Sequence, residues 1–578
     1  MMPMLRRFLL ALALPLVLGA CATDGPYPAP ATVSAARLEQ PAGMVSAPDP
    51  RAAQAGAEIL RAGGSATDAA IAVMLALSVV EPQSSGIGGG GFLLHADSDG
   101  TVASYDGRET APAAATPAWF LDENGKPVPF AEAKLSGLAV GVPGNIRLAA
   151  LAHGRHGALD WAALFQPAIR LAREGFRITP RLHDYLTRHT KAAGFDSQGQ
   201  ELFFGADGAP LPVGTWVRNP ALADTLEAIA RHGADHFHKG ALVQELAAKV
   251  AAATPHAHAL TVQDMASYKA VEREPVCGPY RVWVICGMGP PSSGATTVLA
   301  ILGQLERFDL AALGSESPVA WHLFAESQRL AYADRGLYLA DSDFVAVPVS
   351  GLTDPAYLAA RGALISSQTA MAEVHPGTPA GAPDQPGTGM EPQEGGTSHF
   401  VVADGQGRVA SYTSTIEGPF GAGLMVGGFY LNNELTDFSF RPEQDGRPAA
   451  NRVEGGKRPR SSMAPTLVFD AQGRLVLAAG AAGGPTIPVQ VARTLIGVLD
   501  WGLDLDQALA LPVLYAPGGT LYVEQGSALE AMIPALEQLG HDRIEARELP
   551  LKANAIQRTA AGWVGAADPR SEGVAIAE

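Results

Sequence analysis

A run of five residues, Gly395-Gly396-Thr397-Ser398-His399, stands where a long loop-like stretch meets the start of a strand. The stretch before it, Val374 to Gly396, is crowded with Pro, Gly, Thr and acidic residues and reads as a mobile linker. After it, Phe400–Ala403 and Val409–Thr415 read as two strands joined by a turn at Asp404-Gly405-Gln406-Gly407. If the Gly396–Thr397 bond were cut, Thr397 would carry a hydroxyl and a free α-amine on one residue, a nucleophile with its own base. Strand-like and helix-like segments lie on both sides of that point, with no internal repeat and no separate module. Two pieces cut there must therefore build one fold together.

Other blocks extend the pattern in order along the chain. Upstream are Glu81-Pro82-Gln83-Ser84-Ser85-Gly86-Ile87-Gly88-Gly89-Gly90-Gly91-Phe92 and Asp106-Gly107-Arg108-Glu109. Downstream are Thr413–Gly421, Leu431-Asn432-Asn433-Glu434-Leu435-Thr436-Asp437-Phe438-Ser439, Lys457–Thr466 and Gly480-Ala481-Ala482-Gly483-Gly484. In these blocks the chain resembles the γ-glutamyltransferase (γ-glutamyltranspeptidase, glutathione hydrolase) family of N-terminal-nucleophile hydrolases. The resemblance implies an α+β fold, the αββα sandwich of that class, made of two subunits from one autocleaved precursor. Residues 44–396 would form the large subunit and 397–578 the small, catalytic one. Periodicity alone yields only "α plus β".

The N-terminus carries Arg6-Arg7 before the apolar run Phe8–Leu18, too short to span a bilayer and suited to a signal peptide over residues 1–20. Leu18-Gly19-Ala20-Cys21 resembles a bacterial lipoprotein signal, with Cys21 as the lipid-bearing residue and 21–43 as a Pro/Ala-rich tether. An ordinary signal peptide cleaved near Ala20 or Ala22, with Cys21 incidental, is the alternative. The expected location is exported and facing the periplasm, and Ala22 after the Cys resembles outer-membrane routing. The net charge of −17, with no Lys/Arg run, argues against nucleic acid. Export permits a disulfide between Cys277 and Cys286, which flank a short β-like run; two buried free thiols fit equally. No Cys/His spacing suits zinc, so no metal or cofactor is expected. His232, His236, His238, His256 and His258 read as surface residues.

Ala52–Val80 is helical in pattern, punctuated by Gly63-Gly64, with a start signal at Ser65-Ala66-Thr67-Asp68. Further helices are expected at Trp161–Glu174, Pro220–Arg231, Leu242–Ala252, Thr296–Leu305, Val319–Leu337 and Pro488–Leu499. Leu222, Leu226 and Ile229 share one face, as a core stripe does. Strands are expected at Phe92–His95, Thr466–Phe469 and Leu475–Ala478. Gly86–Gly91 lacks the Lys-Ser/Thr of a phosphate loop and leads into a strand, so close backbone packing explains it better.

The chemistry follows from Thr397. Its hydroxyl lies one residue beyond the Gly396 carbonyl, so attack gives an ester that water opens. Gly395-Gly396 would tolerate backbone geometries that crowd other residues. The α-amine so freed titrates at about 7.7–8.0, near the working pH a general base needs. The resemblance implies that Thr415 supports the nucleophile and that Gly483-Gly484 supply oxyanion N–H donors, though a plain strand-to-helix turn fits the latter locally. A γ-glutamyl group carries a carboxylate and an ammonium. Arg108 would clamp the first bidentately with Ser461 and Ser462, while Glu434 and Asp437 hold the second. Glu417 stands where many transferases have Asn and adds a third acid. The stretch Phe438–Ser461 is short and holds no Tyr for a lid, which implies an open site. Partners are then γ-glutamyl compounds such as glutathione, amino-acid or peptide acceptors, and the self-derived second subunit. The alternatives are a β-lactam (glutaryl-cephalosporin-type) or other amide acylase on the same fold, and a non-catalytic peptide-binding lipoprotein.

Overall fold

The computed structural model describes residues 43–256, 258–383, 387 and 395–578. The expected signal peptide, Cys21 and all but the last residue of the tether lie outside the described residues, as does part of the stretch before Gly395.

Thirteen strands build two sheets: β1 (Met44–Ala47), β2 (Gly90–Ala96), β3 (Val102–Asp106), β4 (Val271–Arg273), β5 (Val276–Tyr280), β6 (Trp283–Gly287), β7 (Gly396–Ala403), β8 (Val409–Glu417), β9 (Thr466–Phe469), β10 (Leu475–Ala482), β11 (Lys552–Thr559), β12 (Gly562–Ala567) and β13 (Val574–Ala577). The first sheet runs β13-β1-β7-β8-β2-β3-β4 and the second β12-β11-β10-β9-β6-β5. All neighbours are antiparallel. Each sheet mixes strands from before and after Gly396. β7 and β8 sit between β1 and β2, so the halves cannot form separate cores.

Alternation along each strand sets the layers. Phe400 and Val402 of β7 pack outward with helix α2 (Ala66–Val80), beside α1 (Pro50–Arg61). Val401 and Ala403 face inward, against Leu467, Ala478 and Ile556 of the second sheet. That sheet turns Val468, Leu477, Ala479 and Ala481 outward onto α3 (Gly294–Leu305), α4 (Pro318–Tyr338) and α5 (Ile487–Leu499). The result is helix, sheet, sheet, helix. Every residue of α2 is buried, because other helices cover the side that faces away from the sheet.

Local signals placed most elements. Ser65 and Asp68 form the expected capping box. Leu222, Leu226 and Ile229 are buried together. The helix expected over Trp161–Glu174 is two, Trp161–Leu164 and Gln166–Glu174. Pro167 at the second helix's start has no N–H to continue the first.

The glycine-rich turn does pack closely. A Cβ on Gly88 would lie 2.1 Å from the Tyr430 carbonyl oxygen, and one on Gly89 2.0 Å from that of Thr415. Cys277 and Cys286 oppose each other across β5 and β6 and form a disulfide. One expectation is corrected: His238 is buried rather than on the surface, and burial pulls its imidazole down to about 4. Its two nitrogens face the carbonyls of Ala234 and Pro143, and the neutral ring donates its one N–H to one of them. Among the described residues no helix is long and apolar enough to cross a membrane.

Candidate active site

Thr397 is the second residue of β7 and lies directly opposite Thr415 of β8. It points the same way as Val401, into the space between the sheets. Just past Thr415 the β7–β8 register slips, and Glu417 adopts φ 72°, a left-handed backbone rare for a residue with a Cβ. The slip turns the Glu417 N–H back onto the Thr415 hydroxyl of the same strand.

Three short contacts meet at that hydroxyl. It donates to the Gly396 carbonyl at 2.7 Å, and it accepts from the Glu417 N–H at 2.8 Å and from the Thr397 hydroxyl at 3.3 Å. A hydroxyl has one proton to give and a carbonyl can only accept, so that proton goes to Gly396. The Gly396 carbonyl is thereby polarised, and the Thr397 hydroxyl lies in the same chain of hydrogen bonds. The expected reason for Gly396 is corrected. Its φ is not in the left-handed region; a Cβ there would lie 2.6 Å from the Glu417 carbonyl oxygen, so close approach of β8 excludes any side chain.

One small cavity, about 30 Å³, is lined by Thr397, Thr415, Glu417, Arg108, Glu434, Asp437, Ser461, Ser462 and Gly484. Nearly every residue singled out from the sequence thus meets at one place.

Arg108 is buried and bonds to Glu434 and Asp437, and also to the carbonyls of Pro459 and Arg460. Cation and acids, expected to hold opposite ends of a ligand, hold each other. Only one guanidinium N–H remains for a ligand, so a bidentate clamp requires Glu434 or Asp437 to give way. Ser462 accepts from Arg335, and Ser461 accepts from the Met463 N–H through its hydroxyl.

Gly483 and Gly484 join β10 to α5 with φ 129° and 57°. A Cβ on Gly483 would lie 2.1 Å from the Pro550 carbonyl oxygen. Here glycine is required by both conformation and space. Gln490, overlooked in the sequence, fixes this turn by donating to the Ala482 carbonyl and to Thr486.

Two further groups were missed. Lys552, Glu81 and Ser398 form a buried triad beside Thr397: Lys552 donates to Glu81 at 2.8 Å and to Ser398 at 3.1 Å, and Ser398 donates to Glu81 at 2.6 Å. Burial pulls the Lys552 ammonium down to about 8, against the attraction of Glu81. Burial pushes Glu81 up, but Lys552, Arg181 and the two hydrogen bonds outweigh it and hold the carboxyl below its usual range. The second is Glu109. Burial raises it to about 8 despite Arg108, and neither of its oxygens has a hydrogen-bond partner among the described residues. Its place in Asp106-Gly107-Arg108-Glu109 was the available signal; nothing in the sequence says the side chain turns inward.

His399 is buried behind Thr397, and burial drops it to about 3, so it is no base. Away from the site, His95, Asp97 and His156 bring ligating atoms within 4.8 Å. Their imidazoles stack 3.7 Å apart and nearly parallel, so the in-plane lone pairs do not converge on one ion.

Comparison with known proteins agrees with this geometry. A family model described as Gamma-glutamyltranspeptidase matches residues 52–578. The chain belongs to the gamma-glutamyltranspeptidase family. It is 38% identical over 518 residues to a glutathione hydrolase proenzyme of Bacillus subtilis (strain 168), covering 86% of this chain and 85% of that one. Over 545 residues it is 36% identical to the glutathione hydrolase proenzyme of Escherichia coli (strain K12), covering 92% and 90%. The crystal structure of a cephalosporin acylase from Bacillus halodurans superposes with a TM-score of 0.80 at 27% identity, covering 96% and 98%. The chain is thus an enzyme of γ-glutamyl transfer and hydrolysis, with the αββα fold of the N-terminal-nucleophile hydrolases.

Proposed function

We propose that this gamma-glutamyltranspeptidase-family chain cuts itself at Gly396–Thr397 and then cleaves the γ-glutamyl amide of glutathione and related compounds through an ester on Thr397. The observation that carries this is the hydrogen-bonded line Thr397–Thr415–Gly396, closed by the Glu417 N–H. In the first reaction the Thr397 oxygen bonds to the Gly396 carbonyl carbon and its own amide nitrogen leaves with the proton. Water then hydrolyses the ester, giving a Gly396 carboxylate and a free Thr397 amine. In the second, that amine takes the hydroxyl proton as the oxygen attacks the substrate amide, and returns it to the departing amine. The Gly483-Gly484 turn would face the oxyanion. Water releases glutamate; an amino acid or peptide acceptor takes the γ-glutamyl group instead.

Binding is an exchange of partners. The carboxylate of the γ-glutamyl group would replace Glu434 or Asp437 at Arg108, and its ammonium would replace Arg108 at the freed acid. Net charge in the buried site is unchanged by a zwitterion, which avoids stranding a buried charge. The acylase reading is supported by the fold match and by 34% identity over 566 residues to an Acylase ACY 1 proenzyme of Pseudomonas sp. (strain SE83), but the site chemistry speaks against it. A glutaryl chain has no ammonium, so it would leave an acid unpaired. The N-terminus supports export, with Cys21 as the proposed lipid anchor, and the Cys277–Cys286 bridge suits an oxidising compartment.

The test uses the chain lacking residues before Ala22, beside Thr397→Ala. Two fragments in the parent, one band in the variant and glutathione turnover only in the parent are expected. A folded parent that stays whole overturns the nucleophile assignment. A cut parent that hydrolyses glutaryl amides but not glutathione favours the acylase.

A further inference from the structure

The small cavity at Arg108 accommodates one side of the bond to be broken. The other side has its own space. A second, larger cavity of about 770 Å³ is walled by Gly395, Pro419 and Pro550 where it nears the nucleophile. Gly395 is two residues before Thr397, and a Cβ on it would lie 3.4 Å from Cα of Gly483 in the turn proposed for the oxyanion. The cavity therefore reaches the scissile segment, and it shares no lining residue with the γ-glutamyl pocket among the described residues. Its size is ample for a short peptide.

Its charged lining is neutralised at all but one of the arginines. Arg188 pairs with Asp184 and Glu548, and Arg570 with Glu524 and Asp568. Arg181 has no carboxylate within ion-pair distance among the described residues. Its guanidinium lies over the Tyr185 ring, 5.2 Å from the centroid, and its Nε is buried without a partner. A ring face steadies a guanidinium without spending its N–H donors. Its positive charge also acts on Lys552 and Glu81, the pair that holds Ser398 beside the nucleophile. One Nη2 proton reaches the Tyr185 hydroxyl at 3.4 Å, and the remaining guanidinium donors, on the wall of a cavity that ends at the scissile segment, have no partner among the described residues and suit a carboxylate.

We propose that this cavity is the subsite for the leaving amine and the acceptor, and that Arg181 binds the terminal carboxylate of an amino acid or short peptide there. The inference rests on the γ-glutamyl reading above and adds the chemistry of the far side of the bond. When glutathione is cleaved, the departing amine is a dipeptide with a free carboxylate, which Arg181 would hold until its amine is protonated. The same contact would seat a dipeptide acceptor with its amine toward the acyl-enzyme.

The experiment compares two donors, glutathione and γ-glutamyl-p-nitroanilide, whose leaving group has no carboxylate. For Arg181→Gln the ratio of kcat/KM for glutathione to that for the anilide should fall about tenfold, with partial recovery in Arg181→Lys. In the parent, glycylglycine should outperform glycylglycinamide as acceptor, and Arg181→Gln should erase that preference. A donor ratio within about twofold of the parent's in a fully processed Arg181→Gln overturns the inference. Should that variant fail to fold, the parent's acceptors decide it: no preference for the free carboxylate overturns the inference, and a preference weakened in Arg181→Lys supports it. A parent inactive on both donors instead overturns the proposed function, and this inference with it.

Discussion

Replacing Thr415 by Val removes one oxygen and keeps the shape. The hydroxyl lost is the donor 2.7 Å from the Gly396 carbonyl, the oxygen that takes on negative charge as Thr397 attacks. Loss of one donor aimed at a developing oxyanion slows a reaction by about 10²–10³, or about 3–4 kcal/mol. Val also leaves the Glu417 N–H without its acceptor, a ground-state cost of about 1–3 kcal/mol that falls on folding rather than on the cut. Thr415→Ser separates the two effects, because it restores the hydroxyl and omits only the methyl. Each precursor would be made uncut under denaturing conditions and refolded, and the two fragments followed on a gel over time. The expected order is parent, then Ser within an order of magnitude, then Val at least a hundredfold slower. A Val precursor with native circular dichroism that cuts within about threefold of the parent refutes the reasoning, since that is under 1 kcal/mol. Polarisation of the carbonyl by Thr415 would then be incidental.

Lys552→Met, in a Thr397→Ala background that cannot be cut, should lose about 3–5 kcal/mol, because Glu81 is left charged and buried. Adding Glu81→Gln should restore most of it; unfolding midpoints check both, and equal midpoints for single and double variants would sink the idea. Glu109 makes stability depend on pH. Its carboxyl keeps its proton to about 8 in the folded chain against an ordinary value near 4.5, so the folded state binds more protons between those values. Its contribution is full below about 4.5 and is lost as pH rises through about 8, a slope on the order of a few kcal/mol in total. Glu109→Gln should flatten the melting temperature against pH over that window, and an unchanged slope would show that Glu109 is ionised throughout.

Which parts of the site the sequence disclosed follows from how far each signal reaches along the chain. Thr397 and Thr415 were legible because both lie in blocks of short range, and the hairpin between them brings them opposite by register alone. The acids at 434 and 437 were legible for the same reason. What those residues do to one another was not. Arg108 lies more than three hundred residues from Glu434, and only the strand order that places β8 beside β2 closes that gap, so the ion pair that lines the pocket has no local trace. Lys552 is the sharper case. Nothing in the sequence around it, at the start of β11, singles it out, and only the packing of β11 against β7 turns it onto Glu81 and Ser398. Gly396 shows the converse. Glycine before a cut suggested a strained backbone, yet the strand is ordinary and the restriction comes from Glu417 across it. A residue's type records the constraint on it, while the source of that constraint lies in whatever the fold brings alongside. For that reason Arg181, ordinary in its helix, becomes informative only once Tyr185 lies under it and no carboxylate among the described residues comes within ion-pair distance of its guanidinium.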